Sequence, residues 1–270
     1  MITDLEDIIK TQNEDVDFNY DEKILLQLLD YLINWAEDNY YYLVKNKEYN
    51  HKQAIVSLRN KVTREIQTYM HKYKLQIKKP VLLYYYRKFI QQEKILENSL
   101  VCVLLMKKPA NDISGINQVT ILTSPTPDGQ DFSCKHDCFY CPNEPAHEGN
   151  NWTPQPRSYL SKEPAVQRAN RNNFDPYLQT KNRLDGLMVC GHKCDKIEFI
   201  LEGGTFTEYP KKYLKNYFTQ FIYCVNTYFD EVKRPVKSLE LEIHLNKKSK
   251  CRIIGICIET RPDAVLEKDE

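Results

Sequence analysis

Apolar residues recur at helical spacing through the first third of the chain. Ile24, Leu25, Leu28, Leu29, Leu32 and Ile33 form one stripe, which predicts an amphipathic helix over 21–45 with Asp21 as its N-cap. Ile55, Leu58, Val62, Ile66 and Tyr69 form a second stripe, over 52–70. Pro80 opens a third helix in VLLYYYRKFIQQEKIL, since proline is well tolerated in a helix's first turn. Beyond Pro109 the pattern changes. NQVTILT, residues 117–123, reads as a buried strand bounded by Pro125, Pro127 and Gly129. DKIEFILEGGT and CRIIGICIET, the latter over 251–260, read as two more strands. Helix-like stretches separate them, over 161–190 with a break at Asp175-Pro176, and over 210–229. Strands alternating with helices imply parallel strands joined by crossovers, an α/β layout behind a helical N-terminal region.

Composition bounds the alternatives. The 270 residues are 41% hydrophobic and 28% charged, compatible with a packed core and against wholesale disorder. No apolar run approaches the ~20 residues of a membrane span. The opening MITDLEDIIK has no secretory character, which leaves the cytoplasm as the default compartment. Nine cysteines without such a signal point to reduced thiols or a metal centre rather than a disulfide framework. The net charge of +1 hides an asymmetry. Residues 1–50 carry four Lys/Arg against twelve Asp/Glu, whereas 51–108 carry thirteen against three. The basic block suits a polyanion, because each neutralised phosphate releases counterions; a solvated helical face accounts for the charge as readily. The chain thus divides into an acidic helical extension (1–50), a basic helical region (51–108) and an α/β region (109–270).

The sharpest chemical signal is DFSCKHDCFYCPNEP, in which Cys134, Cys138 and Cys141 are spaced C-x3-C-x2-C. Three thiolates this close, on a loop after a strand, can hold three irons of a 4Fe-4S cluster and leave the fourth without a protein ligand. An open iron of that kind can chelate S-adenosylmethionine and deliver an electron to its sulfonium, giving a 5′-deoxyadenosyl radical. Structural zinc would need a fourth ligand, His136 or His147, and the second paired knuckle of most zinc modules is missing. Cys102, Cys190, Cys194, Cys224, Cys251 and Cys257 are ungrouped and read as buried or half-buried residues.

Gly203-Gly204-Thr205 ends the second strand, where glycines let backbone approach a ligand and offer N–H groups. A simple turn explains the pair equally well in isolation. Glu259-Thr260-Arg261-Pro262-Asp263, at the end of the third strand, would face the same mouth, as ligands in α/β barrels sit at the C-terminal ends of strands. Arg157, Arg168, Arg171 and Arg183 fall in a polar stretch and are candidates for phosphate or nucleotide contacts, with surface ion pairing the plainer role for each.

Five segments resemble, in order, the catalytic subunit of the Elongator complex and its stand-alone relatives. They are ISGINQVTILTSP, CKHDCFYCPNEP, QPRSYLSKEPAVQRANRNNFDPYLQ, CDKIEFILEGGTFTEYP and CRIIGICIETRPD, spanning about residues 78–263 with the basic helices that lead in. The resemblance implies a radical S-adenosylmethionine barrel, of which only about half the strands can be assigned here. It implies modification of the wobble uridine of tRNA, starting a carboxymethyl group, with acetyl-CoA as substrate. By the same resemblance Cys134, Cys138 and Cys141 are the cluster ligands and Lys196 contacts acetyl-CoA. Gly203, Gly204 and Glu259 belong to the S-adenosylmethionine pocket. Tyr84, Tyr85 and Tyr86 are candidates to stack unpaired anticodon bases.

The family continues into further strands and an acetyltransferase domain, whereas this chain ends seven residues after Asp263. The expectation is therefore an incomplete barrel with exposed strand edges and apolar faces. A second polypeptide would complete it and supply the acetyltransferase domain. The alternative is a catalytically inactive or split remnant that holds tRNA without turning it over.

Overall fold

The computed structural model describes residues 20–46, 49–106 and 114–266. They fall into two compact units. The first comprises the described residues up to Ser114 together with Asp185–His192; the second comprises Gly115–Leu184 and the described residues from Lys193 on.

The first unit is helical. Helix α1 (Glu22–Lys45) starts where the Asp21 carboxylate accepts the Lys23 N–H at 2.9 Å. Helix α2 (His51–Tyr73) opens on a reciprocal box, Asn50 Oδ1 accepting the Gln53 N–H and Gln53 Oε1 accepting the Asn50 N–H, each at 3.0 Å. It stops at Lys74, left-handed at φ 52°. Helix α3 (Lys79–Gln91) carries Pro80 in its first turn, as the sequence predicts. Helix α4 (Ser99–Leu105) escapes prediction because SLVCVLL is too short and too uniformly apolar to show a period. The predicted stripes form the core: Leu25, Leu28, Leu29 and Leu32 of α1 meet Ala54, Leu58, Val62 and Ile66 of α2.

One sequence expectation is overturned in this unit. Tyr84, Tyr85 and Tyr86 are buried, at 4%, 3% and 1% exposure, so they cannot offer ring faces to RNA bases. The cause is that α3 is enclosed by α1 and α4; its run from Val81 to Tyr86 is buried all round, and the Tyr86 hydroxyl donates to Asn98 O at 2.9 Å. The acidic helix also meets the basic block, Glu22 pairing with Lys88 at 2.7 Å and Lys94 at 3.5 Å.

The second unit is α/β, as expected. Strands β1 (Asn117–Leu122), β2 (Lys196–Glu202) and β3 (Arg252–Ile258) form a parallel sheet in the order β1-β2-β3. Helices α5 (Pro164–Arg171) and α6 (Pro176–Val189) lie between β1 and β2. Helices α7 (Lys211–Thr227) and α8 (Leu239–Asn246) lie between β2 and β3, and the short α9 (Pro262–Leu266) follows. Helix α8 is invisible to periodicity because LELEIHLN alternates with a period of two. In β2 that same period places Ile197, Phe199 and Leu201 in the core and leaves Glu198, Ile200 and Glu202 half-buried.

The two outer strands end differently. Side chains cap the outer edge of β1: Gln179 accepts the Leu122 N–H and donates to the Leu122 carbonyl, both at 2.9 Å, and Arg168 Nη2 donates to Thr120 O at 3.0 Å. Strand β3 bulges at Ile254, where the register jumps from Ile253 to Gly255. Ile254, Ile256 and Ile258 are 49%, 40% and 40% exposed, an uncovered apolar face on β3. No described helix is long and apolar enough to cross a membrane.

Candidate metal centre

The cysteine loop follows β1 and lies across the C-terminal ends of its neighbours. Cys134 is buried, Cys138 and Cys141 are half-buried, and all three thiols are free. Cys134 Sγ lies 3.1 Å from Thr205 Oγ1, in the segment after β2. Cys138 Sγ accepts from Arg261 Nη1 at 3.1 Å, in the segment after β3. The Cys141 N–H donates to Cys138 O at 3.0 Å, which closes the C-x2-C turn. Residues between the first two cysteines are tied down as well. Lys135 and His136 both reach Glu208 Oε1, at 3.2 and 3.0 Å, and Asp137 accepts from Arg157 Nη1 at 2.8 Å.

Gly203 and Gly204 make this approach feasible. A Cβ on Gly203, at φ 152°, would lie 1.8 Å from Thr123 Oγ1; one on Gly204 would lie 2.0 Å from Ser133 O. The Gly204 N–H donates to the Tyr209 hydroxyl at 2.7 Å. Gly203 therefore lets the end of β2 close on Thr123, Gly204 seats the cysteine loop at Ser133, and the Gly204 N–H is already engaged.

Glu259 continues the β2–β3 pairing through its N–H to Leu201 O, and its carboxylate accepts from the Tyr159 hydroxyl at 2.5 Å. Glu202, which ends β2, is pushed up to about 7: burial does most of this, Glu259 and Glu163 add repulsion, and Arg168 opposes. Burial and the Glu259 carboxylate raise the Tyr159 hydroxyl well above its ordinary value. Sequence reasoning does not single out Glu202, Tyr159 or Glu208, and it names Thr205 only as the residue after the glycine pair. Thr205 had a signal in its place after the glycine pair, whereas Glu208 had none.

Arginines offered as phosphate contacts have internal work. Arg157 holds Asp137 and stacks over Phe132 at 5.4 Å, Arg168 caps β1, and Arg171 Nε returns to Gln167 O at 3.4 Å. Of the six ungrouped cysteines, Cys257 is exposed on β3, while Cys194, Cys224 and Cys251 are buried.

Two metal readings make different demands on the donors. Zinc in a Cys3His set needs four donors within about 2.0–2.3 Å of one ion. Among the described residues no three His, Cys, Asp or Glu side chains are gathered that way. His136 is bonded to Glu208; His147 is bonded to Glu144 at 2.9 Å and accepts the Gly149 N–H at 3.0 Å. A cubane makes a different demand, one thiolate per iron. Cys134, Cys138 and Cys141 share one loop, and Arg261 donates to the Cys138 sulfur, but among the described residues the three thiols are not gathered as a metal-holding group either.

Lys196 stands elsewhere. It starts β2, paired in register with Arg252, and lies 3.8 Å from the Asp195 carboxylate. A seven-residue strand at ~3.3 Å per residue puts it about 20 Å from the cysteine loop.

No protein-family model matches the chain. Over 174 residues, 64% of this chain, it is 37% identical to a tRNA uridine(34) acetyltransferase of Methanocaldococcus infernus, covering 30% of that protein. Over 176 residues it is 35% identical to Elongator complex protein 3 of Homo sapiens, covering 61% of this chain and 28% of that one. A solved structure of the archaeal Methanocaldococcus infernus Elp3 with an N-terminal deletion covers 56% of this chain and 24% of that chain at 29% identity, with a TM-score of 0.37. The chain thus spans less than a third of the length of the curated relatives it matches. Over nearly two thirds of its own length, it is homologous to proteins named tRNA uridine(34) acetyltransferase and Elongator complex protein 3.

Proposed function

We propose that this chain is part of a tRNA-modifying enzyme of the Elongator type, with the cysteine loop as its 4Fe-4S site. The reading rests on one conjunction: the homologous sequence contains a loop whose three free thiols lie at the C-terminal ends of parallel strands. Cys134, Cys138 and Cys141 would hold the cluster, which when bound to S-adenosylmethionine supplies a one-electron route to a carbon radical. Arg261 Nη1 donates to the Cys138 sulfur at 3.1 Å and ties the loop to the segment after β3. Gly204 lets the loop lie against the end of β2. Glu202 and Glu259, side by side at the mouth, offer acceptors to hydroxyl or amino groups of a nucleoside-like ligand.

Lys196 beside Arg252 gives two cations at the opposite end of the sheet. That arrangement suits the anionic end of acetyl-CoA, so Lys196 would hold the substrate without entering the chemistry at the mouth. Lys52, Lys61, Arg64 and Lys72 are exposed along α2, and this basic face is assigned to tRNA. The uncovered isoleucines of β3 mark where further barrel strands would pack, from whichever polypeptide supplies them.

Anaerobic reconstitution tests the reading. The full chain should take up iron and sulfide near four of each and turn brown, and Cys138→Ala should lose most of both. Stoichiometric zinc with no iron uptake would overturn it. The basic face of α2 supports a second reading, tRNA binding without turnover. That reading predicts salt-sensitive tRNA affinity unchanged by replacing all three cysteines.

A further inference from the structure

Each residue from Cys134 to Cys138 has its side chain held by another part of the second unit. Cys134 meets Thr205, Lys135 and His136 meet Glu208, Asp137 meets Arg157, and Cys138 meets Arg261. Glu208 alone takes two of the five, on a single oxygen. We propose that Glu208 is the positioning residue of the cysteine loop, fixing the segment between the first two thiols before any metal arrives. This inference rests on the cluster reading for its purpose, though its geometry is independent of it.

Glu208 is suited to that role by its mounting. It ends a short turn, Phe206–Glu208, that begins one residue after the glycine pair, with Thr205 between them. Phe206 is buried against Tyr209 and Phe218, at 5.7 and 6.0 Å between ring centroids. The Glu208 N–H closes the turn on Thr205 O at 3.0 Å, so the residue that meets Cys134 and the residue that meets His136 share one rigid unit.

The contacts are unequal. Lys135 is 70% exposed, so its ion pair is heavily screened. The His136 and Glu208 side chains are 32% and 14% exposed, which makes that hydrogen bond the stronger tether. Burial works to raise the Glu208 carboxyl, but the donors from His136 and Lys135 outweigh it and hold the group below its ordinary value. Glu208 Oε2 is buried without a hydrogen-bond partner. The side chain therefore keeps its place by what Oε1 gains from the loop. Glu208 and Cys134 also line one cavity of about 380 Å³, with Gln130, Asp131, Phe132 and Lys135, so a loosened loop has room to move.

The test uses the full chain in four forms: unaltered, Glu208→Ala, Glu208→Gln and the surface control Glu240→Gln, which removes the charge of an exposed pair with Lys215. Alkylation rates of Cys138 and Cys141 by iodoacetamide, read by mass spectrometry without metal, report loop order. Iron bound per chain after anaerobic reconstitution reports the consequence. Glu208→Ala should raise both alkylation rates at least threefold and lower iron retention, Glu208→Gln should restore part of each, and Glu240→Gln should change neither. If Glu208→Ala fails to fold, Lys135→Ala/His136→Ala removes the same contacts from the loop side and should give the same increase. Unchanged alkylation in every folded variant that removes these contacts would overturn the inference. Faster alkylation in a protein that never takes iron would uphold the positioning role and sink the cluster reading alone.

Discussion

Gly204 lies so close to Ser133 that a Cβ at Gly204 would stand 2.0 Å from the Ser133 carbonyl oxygen and 2.5 Å from its carbon. Both atoms are backbone, so no rotamer change relieves the clash. Gly204→Ala must move the cysteine loop or the end of β2. It should cost about 1–3 kcal/mol, as overpacking does, and should lower iron uptake in the same protein. Urea unfolding together with iron analysis reads both effects, and an unchanged midpoint would contradict the packing described.

Gln179 closes the outer edge of β1 through both polar groups of Leu122. All of these atoms are buried, so Gln179→Leu leaves a donor and an acceptor unsatisfied. The expected loss is about 1–3 kcal/mol. Amide exchange at Leu122 should accelerate more than exchange at Val119 in the strand interior.

Glu242 has no exposed surface and accepts from Arg234 Nη1 and Nη2 at 2.7 and 2.6 Å, from Asn226 at 2.8 Å and from the Lys237 N–H at 2.9 Å. Glu242→Ala strands the guanidinium and should cost about 3–5 kcal/mol. The double replacement Arg234→Met/Glu242→Leu should cost less than Glu242→Ala alone, because no unpaired charge is left behind. Thermal unfolding of the two variants makes the comparison.

Glu202 gives the fold a pH dependence of definite sign. Its carboxyl is held near 7 in the folded chain, by burial first and Glu259 second, against an ordinary value of 4.5. The unfolded chain therefore releases this proton first. The stabilising contribution is complete below about 4.5 and declines as pH rises through 7. Glu202→Gln should flatten stability across that window and leave it unchanged at lower pH. A parallel loss in the variant and the parent would assign the dependence to another group.

The helices legible in sequence were those with a stripe to read. Leu25 to Leu32 and Leu58 to Ile66 declared α1 and α2, and Asp21 declared where α1 begins. Helices α4 and α8 were silent for opposite reasons: one is apolar on all sides, and the other alternates like a strand while its stability comes from the Arg234–Glu242 contact. The tyrosines of α3 misled because a ring's chemistry does not reveal which face is covered. At the site, the cysteines and the glycine pair were visible because their spacing is local. Glu208 reaches the loop only through tertiary contact, so no spacing announced it. Arg168 had the composition of a phosphate ligand, but its position placed it on the edge of β1.

The central claim is that three thiols hold a cluster with one iron open to a small ligand. Electron paramagnetic resonance of the reconstituted, reduced full chain tests it directly, recorded with and without S-adenosylmethionine. The account predicts a reduced-cluster signal that changes on adding S-adenosylmethionine and is absent from Cys134→Ala. A spectrum indifferent to S-adenosylmethionine, or no cluster signal from iron-loaded protein, would contradict it.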